Sequence, residues 1–414
     1  MTDKHRTPLL LISGLSPGPN QDLADALGGA DPGTAVVHHD LRQVTSGVVL
    51  RTVRLGAGES LTTLEPAHGC VSCTLREDLL PLLRRLAERP DVERIVLRLD
   101  AAMEPEQVSV ALQSVLVGDR PVIEDVEIEA VATVFDAGRW LDDAIGEETL
   151  AERGLHASAD DERTVAQVAL AQVEFADVLV RAGRPPDAWT AAKTSAVLQR
   201  VAPTTPILEL PATRRDTLLD AVPRDARRGT VEDPHGSLLR GQPPLRTDCG
   251  VTVLPFSARR PFHPQRLHEA INALLDGVVR TRGRVWIASR PDVALWIESA
   301  GGGLGVGHLG PWLDAPDAPA WEDVSSERRT LASLRWDPRY GDRHQEIVVI
   351  THDADPHHIE AALRAALLTD DELTDGRAAW ARYPDPFGEW HEQPCGDTGS
   401  ADTAPTIHNG RTGE

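Results

Sequence analysis

The chain has 414 residues and is 41% hydrophobic, enough for one large or two medium domains with buried cores. Its 64 acidic side chains outnumber 42 basic ones, and the net charge of −22 excludes a polyanion-binding surface spread over the whole molecule. No run reaches the roughly 18 apolar residues of a membrane span. The apolar stretch of MTDKHRTPLLLISG, Leu9 to Ile12, is too short for a signal peptide, so a cytoplasmic protein is expected.

In chain order, PLLLISG (Pro8–Gly14) reads as a buried strand running into a turn. In LSPGPNQDLADALGG, Asn20 is placed to cap a short helix carrying Leu23, Ala26 and Leu27, closed by Gly28 and Gly29. TAVVHHDL (Thr34–Leu41) and GVVLRTVRL (Gly47–Leu55) read as strands. A helical period follows at Leu75, Leu79, Leu82, Leu83 and Leu86. Thr74 and Glu77 have capping-box spacing. Pro81 lies inside this helix, where its missing N–H predicts a kink. ERIVLRL (Glu93–Leu99) and EAVATVFDA (Glu129–Ala137) are further strands, and AQVALAQVEFADVLV (Ala166–Val180) is a helix passing into another. This alternation predicts an α/β domain with a mostly parallel sheet covered on both faces.

From 211 to 248 the text turns rich in Arg, Asp, Pro and Gly and reads as a linker with one short helix, so a first domain is placed at 1–210. A second, at 249–395, opens with the strand VTVLPFSA and a helix carrying Leu267, Ile271, Leu274 and Leu275. RVWIASR, ALWIESAG and EIVVITHD read as strands and HHIEAALRAALL as a helix, which predicts an α+β domain. Gly301 to Gly305 precede no helix and suit a hairpin or loop better than a phosphate cradle. The small, polar residues 396–414 read as a disordered tail.

Four cysteines are too few for a disulfide framework in a chain of this length. Cys70 and Cys73 are three residues apart at the mouth of a helix, with His68 two residues earlier. Thiolate and imidazole suit Zn²⁺, which needs four ligands, and a helix N-terminus lowers thiol pKa values. His38, His39 and Glu65 are candidates for the missing ligand. A redox pair and a tight turn with two buried thiols are the alternatives. His391 and Cys395 form a weaker second pair beside Trp390, and Cys249 reads as a small buried residue. Arg259, Arg260, Arg266, Arg280, Arg282 and Arg284 fall in two short stretches and could offer RNA a local basic face. No catalytic triad, paired-carboxylate site or dinucleotide fingerprint stands out, so no catalytic residue is named.

As a group, GCVSC with TLREDL, VATVFDA, AQVEFADVLV, RRPFHPQRLH, RTRGRVWIASRP, WIESAGG and GDRHQEIVVI resemble the CobW family of P-loop GTPases and zinc-handling proteins. The resemblance spans nearly the whole chain. It implies a P-loop NTPase-like domain followed by a CobW-type C-terminal domain, and zinc as cofactor. The family's GCxCC motif has a third cysteine where this chain has Ser72. A phosphate loop reads GxxxxGK[ST], whose backbone N–H groups and lysine hold the phosphates. The stretch here runs from Gly14 through Gly18 and Asn20 to Asp22, with no lysine, and with Pro17 and Pro19 removing two amide donors. Arg98-Leu-Asp100-Ala101 stands where relatives carry an acidic residue and Thr-x-Gly, and Arg181-Ala-Gly-Arg184 where they carry Asn-Lys-x-Asp. With three nucleotide motifs altered, efficient GTP binding and hydrolysis are not expected.

AHGCVSCTLREDLL, ERTVAQV, FSARRPFHPQRLH, DGVVRTRGR and DPFGEWHEQPC further resemble an actinobacterial branch of CobW-like proteins associated with zinc starvation. That resemblance implies an adaptor that recruits the ribosome hibernation factor to the small ribosomal subunit. A GTP-dependent zinc metallochaperone and a thiol redox sensor are the competing expectations.

Overall fold

The computed structural model describes residues 6–29, 31–66, 71–156, 158 and 161–388. His68, Cys70, Trp390, His391, Cys395 and the tail from 396 lie outside the described residues. The chain divides into two compact units, Met1–Val231 and Glu232–Glu414.

The first unit is built on strands β1 (Thr7–Ser13), β2 (Thr34–Asp40), β3 (Val49–Leu55), β4 (Gly58–Leu64) and β5 (Arg94–Arg98). A small hairpin, β6 (Leu116–Val117) with β7 (Arg120–Pro121), precedes β8 (Val126–Asp136), β9 (Val178–Ala182) and β10 (Ile207–Glu209). The large sheet has the order β10-β9-β8-β1-β5-β2-β3-β4. β1, β2, β5, β8, β9 and β10 run parallel. β3 and β4 close one edge as an antiparallel hairpin. Chain reversal around β1 puts the topological switch point between β1 and β5, where ligands sit beyond the strand ends in open α/β sheets.

Alternation along the strands builds two cores, one on each face. Leu9, Leu11, Val37 and Leu97 face one side with Leu79, Leu83 and Leu112. Leu10, Ile12, Val36 and Val96 face the other with Leu23 and Leu27. Helices α1 (Pro17–Gly28), α2 (Val71–Thr74), α3 (Leu80–Ala87), α4 (Pro105–Ser114), α6 (Val165–Phe175) and α8 (Arg215–Ala221) contribute to these cores, and α5 (Trp140–Ile145) and α7 (Ala188–Val201) are the unit's remaining described α-helices. α8 lies in the stretch that reads as a linker, and its Leu218 is fully buried in the second core.

Two local expectations are corrected. Helix α1 starts at Pro17, so Asn20 is not its cap but a buried residue of the first turn. Prolines fit there because the first N–H groups of a helix have no intrahelical acceptor. Thr74 is a helical residue with no capping bond. Between α2 and α3, Leu75–Leu79 form a π-turn in which Leu80 N–H reaches back to the Leu75 carbonyl. Pro81 follows immediately, so the backbone bond it cannot make is absorbed by a widened turn. Strand β4 was not legible in GESLTTL, which holds only two apolar residues.

The second unit carries β11 (Thr252–Ala258), α9 (Pro264–Ala270), β12 (Val278–Val285), β13 (Val293–Ala300), β14 (Gly303–Pro311), α10 (Ser326–Arg335), β15 (Gln345–Thr351), α11 (Pro356–Ala366), α12 (Asp370–Asp375) and α13 (Arg377–Trp380). Its sheet is antiparallel, in the order β11-β15-β12-β13-β14. Phe256, Leu295, Ile297 and Ile347 pack with Leu267, Ile359 and Leu363 of α9 and α11 on one face. RVWIASR is only partly strand: β12 ends at Val285, and Trp286 turns into a second aromatic core with Trp312 and Trp380. The glycine-rich stretch from 301 is a turn leading into β14, with Gly301 and Gly302 at positive φ.

Candidate functional site

The loop after β1 holds the position of a phosphate cradle, but its own side chains fill it. Gly14 has φ +148, and a Cβ there would stand 2.4 Å from the Val134 carbonyl oxygen and 2.6 Å from Asn20 Oδ1. Asn20 donates from Nδ2 to the Gly14 carbonyl at 2.7 Å. On the GxxxxGK[ST] frame counted from Gly14, Asn20 takes the lysine position, Pro19 the second glycine and Gln21 the hydroxyl. Ser16 is the N-cap of α1 and makes no side-chain capping bond, and a Cβ added at Gly18 would meet nothing within 4 Å. Leu15 and Ser16 border a cavity of ≈ 10 Å³ together with Asp136, Trp140 and Asp143. That is room for about one water, beside two carboxylates.

The two other altered motifs are equally committed. Asp100 Oδ2 and Oδ1 accept the N–H groups of Leu41 and Ala102, both at 3.1 Å, and burial pushes its carboxyl up. Arg181 is ion-paired with Glu209, and Gly183 takes a left-handed conformation, φ +67, where a Cβ would approach Asp136 Oδ1 to 2.7 Å.

The metal candidates separate by strand alternation. His38 turns toward the α1 face and its Nδ1 lies 3.0 Å from the Arg98 carbonyl. Burial, then the Arg98 charge, lower its pKa to about 4. His39, on the opposite face, is 1% exposed, and its Nε2 lies 2.7 Å from Asp78 Oδ2 in the π-turn. Arg51 Nη1 reaches the other Asp78 oxygen at 2.5 Å. Burial raises the Asp78 pKa, but the His39 hydrogen bond and the Arg51 and Arg85 charges outweigh it and hold the carboxyl below its usual range. An ionised Asp78 can only accept, so the hydrogen bond places a proton on His39 Nε2. Among the described residues the ring's buried Nδ1 has no hydrogen-bond partner. A ring held by a carboxylate on one nitrogen and open on the other is how ligating histidines are set in zinc sites.

Cys73 is half-buried in α2, five residues before Asp78 on the same helical segment. Glu65 is exposed just beyond β4. His39 and Cys73 are thus nitrogen and sulfur donors of the right chemistry for zinc. Among the described residues no group of three or more His, Cys, Asp or Glu is arranged to hold a metal. Asp78 escaped sequence reasoning because its partner is 39 residues away. The signal available was a lone carboxylate between leucines on the apolar side of a helix.

In the second unit the basic face is corrected. Arg280 is 6% exposed and pairs with Glu298 at 3.1 Å; Arg284 is 1% exposed, pairs with Glu346, and donates to the Pro234 and Gly236 carbonyls. Arg282 stacks on Trp296, 5.4 Å from the ring centre. Arg259, Arg260 and Arg266 pair with Asp337, Asp370 and Glu372. Carboxylates thus partner five of the six arginines, as expected in a chain this acidic. Cys249 is corrected too: it is half-buried in a left-handed turn, φ 49.

Residues 31–207 match the family model for the CobW/HypB/UreG nucleotide-binding domain, starting after the degenerate loop. Residues 251–367 match the cobalamin synthesis protein cobW C-terminal domain. A Mycobacterium tuberculosis protein, zinc chaperone Rv0106, is 46% identical over 404 residues, covering 94% of this chain and 95% of that protein. The chain belongs to the CobW family. A Dictyostelium discoideum relative, zinc-regulated GTPase metalloprotein activator 1, is 27% identical over 338 residues, covering 78% of this chain and 70% of its own length. Zn(II)-bound YjiA GTPase from E. coli is a structural neighbour at 14% identity and TM-score 0.37, covering 88% of this chain and 100% of that one. CobW membership fits the P-loop GTPase-like sheet and the antiparallel C-terminal domain that follows it. No described helix is long and apolar enough to cross a membrane.

Proposed function

We propose that this CobW-family protein is a cytoplasmic zinc-handling protein whose output is a protein contact rather than nucleotide hydrolysis. The zinc half of this reading is supported by relatives named as a zinc chaperone and a zinc-regulated activator, and by the open, buried Nδ1 of His39 beside Asp78. The other half rests on one observation: the Asn20 side chain closes onto Gly14 where a phosphate loop holds its lysine and its ligand. Pro17 and Pro19 subtract donors from the same turn. In this reading Cys73, Cys70, His68 and His39 sense or carry zinc, and the helical segment behind them transmits the metal state. The output is recruitment of the ribosome hibernation factor to the small ribosomal subunit when zinc is scarce.

A GTP-dependent zinc metallochaperone is the second reading, favoured by the match to a nucleotide-binding domain and by the relative named a zinc-regulated GTPase metalloprotein activator. Calorimetric titration with Mg·GTP separates the two. The adaptor reading expects no saturable binding in the wild type, with or without zinc. Saturable binding with turnover, abolished by Asn20→Ala, would replace it with the metallochaperone.

A further inference from the structure

We propose that β4 is a self-pairing edge through which two copies of this chain join their sheets, antiparallel, about a two-fold axis at Leu61. The two large sheets have four edge strands: β4, β10, β11 and β14. An open edge is a template for another strand, and proteins blunt it with short strands, prolines, lysines or bulges. Three edges are blunted here. β10 has three residues. β11 carries the exposed Pro255, which has no N–H to offer. β14 has a register shift opposite Val293 to Leu295 and ends at Pro311.

β4 has none of these devices. Gly58–Leu64 pairs with β3 over seven consecutive residues without a register shift, and contains no lysine or proline. Gly58, Glu59, Ser60, Leu61 and Thr63 are exposed, and Leu61 is 68% exposed. Thr62 and Leu64 face inward, toward Arg51 and the first core. Glu59, Leu61 and Thr63 therefore share the outer face.

The sequence of β4 is complementary to itself. The antiparallel register that uses the whole strand sets Leu61 against Leu61 of the second copy, Glu59 against Thr63, Ser60 against Thr62 and Gly58 against Leu64. The central pair is apolar, and the strand's one charge, Glu59, meets a threonine instead of its own copy. Opposed like charges would be the ordinary device against such pairing, and this edge lacks it. A seven-residue edge buries little area, so the dimer is a concentration-dependent one. Each copy carries −22, so screening by salt strengthens the association.

Sedimentation velocity of the full chain over a concentration series, at low and moderate salt, tests this. Leu61→Lys places two like charges on the axis and is expected to weaken the dimer about tenfold or more. Thr63→Lys sets a cation opposite Glu59 twice by symmetry and is expected to tighten it about fivefold. Thr63→Glu is expected to weaken it. Both positions are exposed, so at concentrations low enough to keep every chain monomeric the melting temperature of each variant should match the wild type and exclude misfolding. A chain that stays monomeric at every concentration overturns the proposal. So does a dimer whose constant is the same in all three variants, which would lie on another face.

Discussion

Asn20 and His39 show how one side chain can close a site and another leave one open. Asn20 spends its amide on the Gly14 carbonyl, so the turn is satisfied from within. His39 is fixed by Asp78 on one nitrogen and keeps the other available. Two further histidines are held neutral. His38 is lowered to about 4 by burial and then by Arg98. His235 is lowered to about 4 by burial and then by Arg328, and its Nε2 lies 3.1 Å from the Leu309 carbonyl. For both, the folded-state pKa lies below the unfolded value of about 6.5. Between about pH 6.5 and 4 the unfolded chain binds more protons, so the stability these groups contribute is present above 6.5 and lost as the pH falls. Imidazole NMR should show both rings still neutral at pH 5.5, and their denaturant-unfolding contribution should shrink toward pH 4. Titration midpoints near 6.5 would contradict this. Asp100 and Asp177, raised by burial, act in the opposite sense, so the imidazole signals are the cleaner readout.

Helix, turn and strand meet at Asp78. The π-turn places this carboxylate between His39 of β2 and Arg51 of β3, tying the segment behind the cysteines to two strands of the sheet. Carboxylate partners of ligating histidines are typically worth about 10–100-fold in metal affinity. Asp78→Asn should therefore weaken zinc binding by about that factor in competition with a chelator, with the helix content unchanged. An affinity equal to the wild type would remove His39 from the zinc site. Strands β1, β2, β5, β8 and β9 of the first sheet were legible because buried parallel strands read as apolar runs such as LLLI and IVLR. The cysteine helix was legible from its leucine period, and Pro81 announced its irregularity, though not that a π-turn would absorb it. β4 was illegible because edge strands need no apolar face. The pairing of His39 with Asp78 was illegible because sequence shows neither which strand face a residue takes nor what lies across 39 positions. The arginines of β12 looked like a surface patch because spacing does not reveal the glutamates on β13 and β15 that pair with Arg280 and Arg284.

Across the whole chain, the division falls between Val231 and Glu232, inside the stretch that composition marks as a linker. The chain continues past 210 within the first unit because Leu218 fills its core and Asp177 accepts the N–H of Arg228 at 3.2 Å. The chain carries −22, and five of the six arginines that sequence grouped as a basic face are paired to carboxylates. Contact with a ribosome would then run through a protein, which is where an adaptor differs from a general RNA binder. The most direct measurement is co-sedimentation of the purified protein with ribosomes, with and without the hibernation factor, at high zinc and under chelation, and with no nucleotide added. The account predicts that protein and factor pellet together with ribosomes under chelation and separate from them when zinc is restored. Absence from the pellet in every condition, or a requirement for GTP, would contradict it.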